Sequence, residues 1–111
     1  MTQGGSLGEF EQVVLLAILR VGEGAYGVSI RAEIEARTGR DPAPGALYTT
    51  LDRLEEKGFV TSEMGDPTPQ RGGRAKRFFR VTGSGVEAVA RAQQSYRRLM
   101  EGLHLPGVAH A

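Results

Sequence analysis

The sequence feature that most constrains the fold is the polar run GDPTPQRGG at residues 65–73. Its prolines and glycines disfavour regular secondary structure. The segments on either side, FVTSEM at 59–64 and RAKRFFRVT at 74–82, have the composition and alternation of β-strands. The sequence therefore predicts two strands that fold back on each other as a β-hairpin with a long loop.

Three helical segments precede this hairpin, and glycines or prolines separate each segment from the next. We place them at about residues 7–21, 28–38 and 45–57. Ser6 and Glu9 are predicted to form a Ser-x-x-Glu capping box at the start of the first helix. Gly39 and Gly58 follow the second and third helices as C-terminal stops. Leucines at 47, 51 and 54 give the third helix one apolar face.

The first and last helices both carry signs of a partner subunit. The first is apolar on more than one face, so it is either central to the core or shared between subunits. Thr82 is predicted to cap the last helix, which covers about residues 83–103. A heptad seam along this helix favours packing against a similar helix. The predicted dimer interface comprises Phe10, Val14, Val86, Val89, Gln93, Tyr96, Met100 and Leu103.

Composition bounds the class of protein. A length of 111 residues, with 40% hydrophobic and 24% charged residues, fits a single globular domain. The chain has no cysteine, its two histidines lie near the C-terminal end, and no carboxylate pair marks a cleft. We therefore expect no enzyme, no metal and no cofactor. The apolar run at 13–19 is too short to span a bilayer, so we predict a soluble cytoplasmic chain without a membrane partner.

The order of three helices followed by a hairpin predicts a winged helix-turn-helix, a mainly α fold with a small β-hairpin (α+β), plus a C-terminal dimerisation helix. In such a fold the third helix enters the major groove of DNA. Small or hydrogen-bonding residues oppose its apolar face, which permits close approach to bases and phosphates, and Arg53 is suited to guanine or phosphate. We divide the chain into a tail at 1–6, the winged domain at 7–82, the dimerisation helix at 83–104 and a tail at 105–111.

The hairpin loop and its return strand concentrate positive charge in a chain that is nearly neutral, with 14 Lys+Arg against 13 Asp+Glu. The segment QRGGRAKRFFR at 70–80 holds five cations and no acidic residue. Such a basic, glycine-bent wing is suited to the phosphates of a duplex. The segment is therefore predicted to contact double-stranded operator DNA, although strand alternation turns some of residues 74–80 away from it.

Several motifs, taken in this order and spacing, resemble the PadR-like transcriptional regulators over about residues 7–90. They are LGEFEQVVLLAIL in the first helix, AYGVSI at the start of the second, GALYTTLDRLEEKGFV in the third, and RGGRAKRFFRVTGSG in the wing and return strand. Phe78 and Phe79 stand where tyrosines are common in that family. The single helix after the wing resembles the short branch of the family.

The resemblance implies a dimeric, sequence-specific DNA-binding protein, most often a repressor, whose last helix crosses to the partner subunit. It makes a small aromatic effector at the dimer interface a candidate partner, because some short members bind flat aromatic compounds there. Together with the arguments from the residues, it gives a predicted DNA-binding set: Tyr26, Gly45, Ala46, Tyr48, Thr49, Thr50, Arg53, Arg71, Gly72, Gly73, Arg74, Lys76 and Arg77.

Alternatives remain for several of these residues. Tyr48 either contacts a phosphate or packs over the edge of the core, and Arg53 either contacts DNA or pairs with Glu56 in its own helix. Gln93 either fixes the register of a helix pair or faces solvent. For the whole chain, the alternative function is a winged-helix module that binds a protein partner and has lost DNA binding.

Overall fold

The computed structural model describes residues 7–65 and 75–107. It contains four helices and one two-stranded antiparallel sheet in these ranges, which confirms the predicted α+β class. The elements in chain order are α1 (Glu9–Val21), α2 (Gly27–Thr38), α3 (Pro44–Glu56), β1 (Val60–Met64), β2 (Arg77–Val81) and α4 (Gly83–Met100). The hairpin register pairs Val60 with Val81 and Met64 with Arg77.

Helix α1 occupies the centre of the fold. It contacts α2, α3, β2 and α4, and Val14 and Leu15 are both fully buried although they point to different sides of the helix. This placement explains why the sequence of α1 is apolar on more than one face. Phe79 from β2 and Val60 from β1 join the same core, so the hairpin is packed onto the helices and is not an isolated ribbon.

The start of α1 differs from the prediction. The helix begins after Gly8, whose backbone N–H donates to Glu11 Oε1 at 2.7 Å, while Glu9 pairs with Arg40. The predicted capping box of Ser6 and Glu9 is therefore wrong, and Ser6 itself lies outside the described residues. Glu11 is buried, and its carboxylate also accepts from Lys57 Nζ at 2.8 Å. This contact with a residue far along the chain favours Glu11, and not Glu9, as the carboxylate that caps α1.

One backbone hydrogen bond and one close backbone approach attach the hairpin to the helices. Phe79 donates its N–H to the Ala25 carbonyl at 2.8 Å, which ties β2 to the loop between α1 and α2. Thr82 caps α4 as predicted, because its hydroxyl accepts from the Gly85 N–H at 3.1 Å. A Cβ at Gly85 would lie 2.3 Å from the Phe59 carbonyl oxygen, so this close approach of α4 to the start of β1 requires glycine.

Helix α4 packs on its own protomer only along its first half. Ala88 and Val89 are buried, whereas every residue from Gln94 to Met100 is exposed. The helix ends three residues before the predicted Leu103. Within residues 7–65 and 75–107, no helix combines the length and apolar character that crossing a bilayer demands. In the same ranges no three His, Cys, Asp or Glu side chains are grouped as metal ligands would be.

Candidate nucleic-acid interface

One face of α3 is open to solvent and lined by small side chains. Leu47, Leu51 and Leu54 bury the opposite face against the core. The solvent side presents Gly45, Ala46, Thr49 and Arg53, all of which are exposed. No carboxylate within the described part of the chain lies at ion-pair distance from Arg53, so the alternative pairing with Glu56 is not formed. The Arg53 guanidinium is thus available to an external anion.

Thr50 does not belong to this open face. Its side chain is 7% exposed, and its hydroxyl donates to the Ala46 carbonyl at 2.9 Å within the same helix. Such a bond to the preceding turn satisfies the hydroxyl locally. The structure therefore separates Thr50 from Thr49, although the two are adjacent in the sequence.

Tyr48 joins the start of α3 to the start of α2. A Cβ placed on Gly27 would lie 1.9 Å from Tyr48 Oη, so the ring rests directly against the Gly27 backbone. Tyr48 is 40% exposed, and the remainder of its surface is covered by this contact and the core edge. The position of the Tyr48 ring agrees with the predicted alternative in which the ring packs against the protein. The exposed part of the ring remains accessible to a ligand.

Tyr26 links the start of α2 to the loop end of the hairpin. Its backbone N–H donates to Ser29 Oγ at 3.0 Å, which caps α2. Its ring meets Phe78 edge-on, with the ring centroids 5.8 Å apart, and Lys76 Nζ lies 4.6 Å from the Tyr26 centroid. A cation over an aromatic face contributes about 0.5–1 kcal/mol at an exposed site. Two residues that are distant in the sequence, Tyr26 and Lys76, are thus neighbours.

Arg77 is held by acidic side chains of α3. Its guanidinium donates to Asp52 Oδ1 at 3.2 Å and to Glu55 Oε1, and its Nε donates to Ser62 Oγ at 3.1 Å. The guanidinium carbon also lies 4.9 Å from the centre of the Phe79 ring. Burial alone lowers the pKa of Arg77, but the hydrogen bonds to Asp52 and Glu55 outweigh it, so the pKa is raised above its ordinary value. Arg77 is one of the residues that strand alternation turns toward the protein, whereas Arg80 on the other face of β2 is exposed.

The tip of the predicted wing lies outside the described residues. This applies to Arg71, Gly72, Gly73 and Arg74. Lys76 and Arg77 are therefore the two members of the predicted wing set whose positions are known. They differ in environment, because Lys76 is exposed beside Tyr26 and Arg77 is paired with α3.

The residues predicted for a dimer interface divide into two groups. Val14 and Val89 belong to the protomer core, and Gln93 Nε2 donates to Gln12 Oε1 at 3.3 Å within the same chain. Because this bond lies within one protomer, it matches neither predicted role of Gln93, which was either to fix the register of a helix pair or to face solvent. Phe10 is partly buried, and the Arg40 guanidinium carbon lies 5.2 Å from its ring centre. The exposed members are Val86, Tyr96, Met100 and Leu103.

The predicted interface set omits three exposed leucines of α1 and α4. Leu99 of α4 is 74% exposed, and Leu16 and Leu19 of α1 are exposed to 40% and 44%. Apolar side chains of this size are costly to leave in water when they cluster. The sequence of α1 indicated an exposed apolar surface, because the helix has more apolar residues than one buried face requires. The single seam chosen along α4 excluded Leu99.

Comparison with known proteins agrees with this architecture. The model of the "Transcriptional regulator PadR-like family" matches residues 15–91. The chain is 34% identical over 87 residues to the Mycobacterium tuberculosis protein "Transcriptional regulator Rv3488", a match that covers 77% of this chain and 74% of that protein.

Solved structures share the fold at lower identity. A PadR family transcription regulator from Clostridium difficile R20291 has a TM-score of 0.70 at 19% identity, over 85% of this chain and 93% of the other. F93 from STIV, described as a winged-helix DNA-binding protein, has a TM-score of 0.62 at 18% identity, over 84% and 92% of the two chains. Members of the matched family are transcriptional regulators and not enzymes. The chain belongs to the PadR-like family of transcriptional regulators and has its winged-helix fold.

Proposed function

We propose that the protein is a homodimeric repressor that binds double-stranded operator DNA through α3 and the loop end of the hairpin. The observation that carries this proposal is the open face of α3, where Gly45, Ala46 and Thr49 leave room beside Arg53, which forms no ion pair with residues 7–65 or 75–107. Small side chains permit close approach to the groove, and an arginine fork suits guanine or a phosphate. Tyr48 supplies a half-exposed ring at the edge of the same face.

The loop end of the hairpin supplies a further cation. Lys76 is exposed and stacked on Tyr26, so its charge is placed beside the start of α2. Together with the cations of the loop sequence at 70–74, it supplies the positive charge that a phosphate backbone attracts. In this proposal Arg53 and Tyr48 act from α3, Tyr26 acts from the start of α2, and Lys76 acts from the hairpin.

The test is DNA binding by fluorescence anisotropy, using the region upstream of the protein's own gene and a scrambled duplex of equal length. Arg53→Ala should weaken binding to the operator by about 5- to 100-fold, as expected for loss of one direct arginine contact. The matched control is Arg37→Ala, which removes the same charge from the C-terminal end of α2, where Arg37 pairs with Glu33. Its affinity should change by less than about twofold.

Two results would contradict the proposal. Equal losses for Arg53→Ala and Arg37→Ala would mean that net charge alone governs binding. An intact dimer that binds no DNA at low salt would support a protein-interaction module instead. The repressor role is tested separately, because deleting the gene should then raise transcription from the bound promoter.

The dimer and the effector belong to the same proposal. Exposed apolar side chains of α4 and α1 favour a second copy as the partner, since burying them removes apolar surface from water. Tyr96 and Met100, both exposed on α4, are suited to enclosing a flat aromatic effector between two subunits. If such a compound weakens operator binding by the unaltered protein but not by Tyr96→Ala, the result would support the effector.

A further inference from the structure

We propose that Arg77 is a positioning residue for DNA recognition, which holds the hairpin against α3 and offsets part of the negative charge of Asp52 and Glu55 without contacting DNA itself. The inference rests on the proposed DNA-binding function. It separates Arg77 from Lys76, its neighbour in the basic segment, and gives the two cations different tasks.

Each of the three guanidinium nitrogens of Arg77 already donates one hydrogen bond within the protein, so three of its five N–H donors are occupied. Nη1 donates to Asp52 Oδ1 at 3.2 Å, Nη2 donates to Glu55 Oε1, and Nε donates to Ser62 Oγ at 3.1 Å. Ser62 in turn donates to Glu55 Oε2 at 2.9 Å. We call these four residues the Arg77 network. It joins β2, β1 and two successive turns of α3, so its bonds fix the hairpin relative to that helix.

The network depends on the shape of arginine. The guanidinium carbon lies 4.9 Å from the Phe79 ring centre, and the three guanidinium nitrogens reach three separate acceptors. A lysine ammonium is a point charge, which cannot satisfy the same fork of acceptors. The raised pKa of Arg77, in which the hydrogen bonds to Asp52 and Glu55 outweigh burial, agrees with a cation held firmly by these carboxylates.

The network also governs the charge of the proposed DNA-facing surface. The Asp52 side chain is 62% exposed and directly precedes Arg53 in α3. An uncompensated carboxylate at this position would repel the phosphates that Arg53 attracts. The Arg77 guanidinium lies 3.2 Å from Asp52 and offsets part of its charge, because the same cation also pairs with Glu55. Loss of Arg77 therefore harms DNA binding in two ways, by loosening the hairpin and by exposing an acid.

A double-mutant cycle separates this role from a direct phosphate contact. The variants are Arg77→Gln, Asp52→Asn and their combination, each measured for operator binding by anisotropy. We expect Arg77→Gln to weaken binding by about tenfold and Asp52→Asn to change it by less than about twofold. Adding Asp52→Asn to Arg77→Gln should recover about threefold, because the repelling charge is then gone.

Arg77→Lys provides the second arm of the test. It keeps the positive charge but loses the fork, so binding should resemble that of Arg77→Gln. The proposal is overturned if Arg77→Lys binds like the unaltered protein and Asp52→Asn has the same effect in both backgrounds. Those results would make Arg77 a phosphate contact.

Hydrogen exchange of the free protein tests the positioning role without DNA. Arg77→Gln should speed amide exchange in β1 and β2 by about threefold or more while leaving α2 unchanged, which also shows that the fold is retained. The control is Arg80→Gln, which removes an exposed cation from the opposite face of the same strand and should not alter exchange.

Unchanged exchange in the hairpin of Arg77→Gln would refute the positioning role whatever the binding data show. Faster exchange in a protein that binds no DNA would instead refute the proposed function and leave the structural link between hairpin and α3 intact. The two failures are thus distinguishable.

Discussion

Gly27 leaves room for the Tyr48 ring at the point where α2 and α3 begin. A Cβ at this position would lie 1.9 Å from Tyr48 Oη and 2.6 Å from its ring carbon Cζ. No real Cβ tolerates such a distance, so any larger residue must displace the ring. This contact sets how the proposed reader helix meets the preceding helix, and it depends on two residues that are far apart in the sequence.

Gly27→Ala should therefore destabilise the protein by about 1–3 kcal/mol, the usual cost of overpacking, as measured by urea unfolding. The matched control is Gly45→Ala, because Gly45 also lies in the first turn of a helix but has open space at its Cβ position. There the substitution should be neutral or stabilise by up to about 1 kcal/mol. Tyr48→Ala should relieve the loss caused by Gly27→Ala, and additive losses in the double variant would contradict the contact.

The individual site residues were only partly predictable from the sequence. The face of α3 with Gly45, Thr49 and Arg53 follows from helical spacing against its buried leucines. The same spacing places Thr50 with the buried leucines, three residues after Leu47, so the sequence contained the signal that separates Thr50 from Thr49 and the predicted set overlooked it. The sequence could not pair Arg77 with Asp52, because that contact depends on the register of a hairpin packed against a helix.

At the scale of elements, Glu33 connects α1 to α2. Its Oε2 accepts from Arg20 Nε of α1 and from Arg37 Nε of α2, each at 3.1 Å. The hydrogen bonds from Arg37 and Arg20 lower the pKa of Glu33 below its ordinary value of 4.5. Because the folded-state pKa is the lower one, the stabilising contribution is present above about pH 4.5 and is lost as the pH falls through the folded-state pKa.

We expect Glu33→Gln to lower the thermal unfolding midpoint at pH 7, and the difference from the unaltered protein to vanish as the medium becomes acidic enough to protonate Glu33. Glu35→Gln is the control, since Glu35 lies in the same helix and has no ion pair with any described residue. A midpoint difference for Glu33→Gln that persists below the folded-state pKa would exclude the ion pairs as its cause.

The elements themselves were predictable to within a few residues, because their apolar spacing and glycine stops are local signals. The start of α1 was not. Both Ser6 with Glu9 and Gly8 with Glu11 have the spacing of a capping pair, and the choice between them is made by Lys57, which binds Glu11 from beyond the end of α3. A local pattern cannot contain that information.

Within the whole molecule, the two halves of α4 have different surroundings, which the single predicted heptad seam does not distinguish. Its first half packs on α1 of the same chain, through Val89 and through the bond between Gln93 and Gln12. Its second half projects from an elongated protomer of 56 × 37 × 22 Å and exposes Tyr96, Leu99 and Met100. A seam read from the sequence combines both surfaces. Val89→Glu would bury a carboxylate in the core and unfold the protomer, so it cannot test dimerisation.

Leu99→Glu is the appropriate test, because Leu99 is 74% exposed and makes no contribution to the protomer core. In the proposed dimer the substitution places a charge in an apolar interface, so sedimentation equilibrium should report a monomer with unchanged helical circular dichroism. Gln94→Glu adds the same charge at an exposed polar position of α4 and should leave the dimer intact if Gln94 lies outside the interface.

The same pair of variants connects assembly to DNA binding. Two reader helices on one rigid dimer bind two half-sites about one helical turn apart, and the second contact is made at high effective concentration. Monomeric Leu99→Glu should therefore lose about 100-fold or more of its operator affinity while retaining its weak binding to scrambled DNA. If Leu99→Glu remained dimeric, the exposed second half of α4 would not be the subunit interface. If it became monomeric yet bound the operator as tightly as before, recognition would require only one winged helix, and the operator would have no need of dyad symmetry.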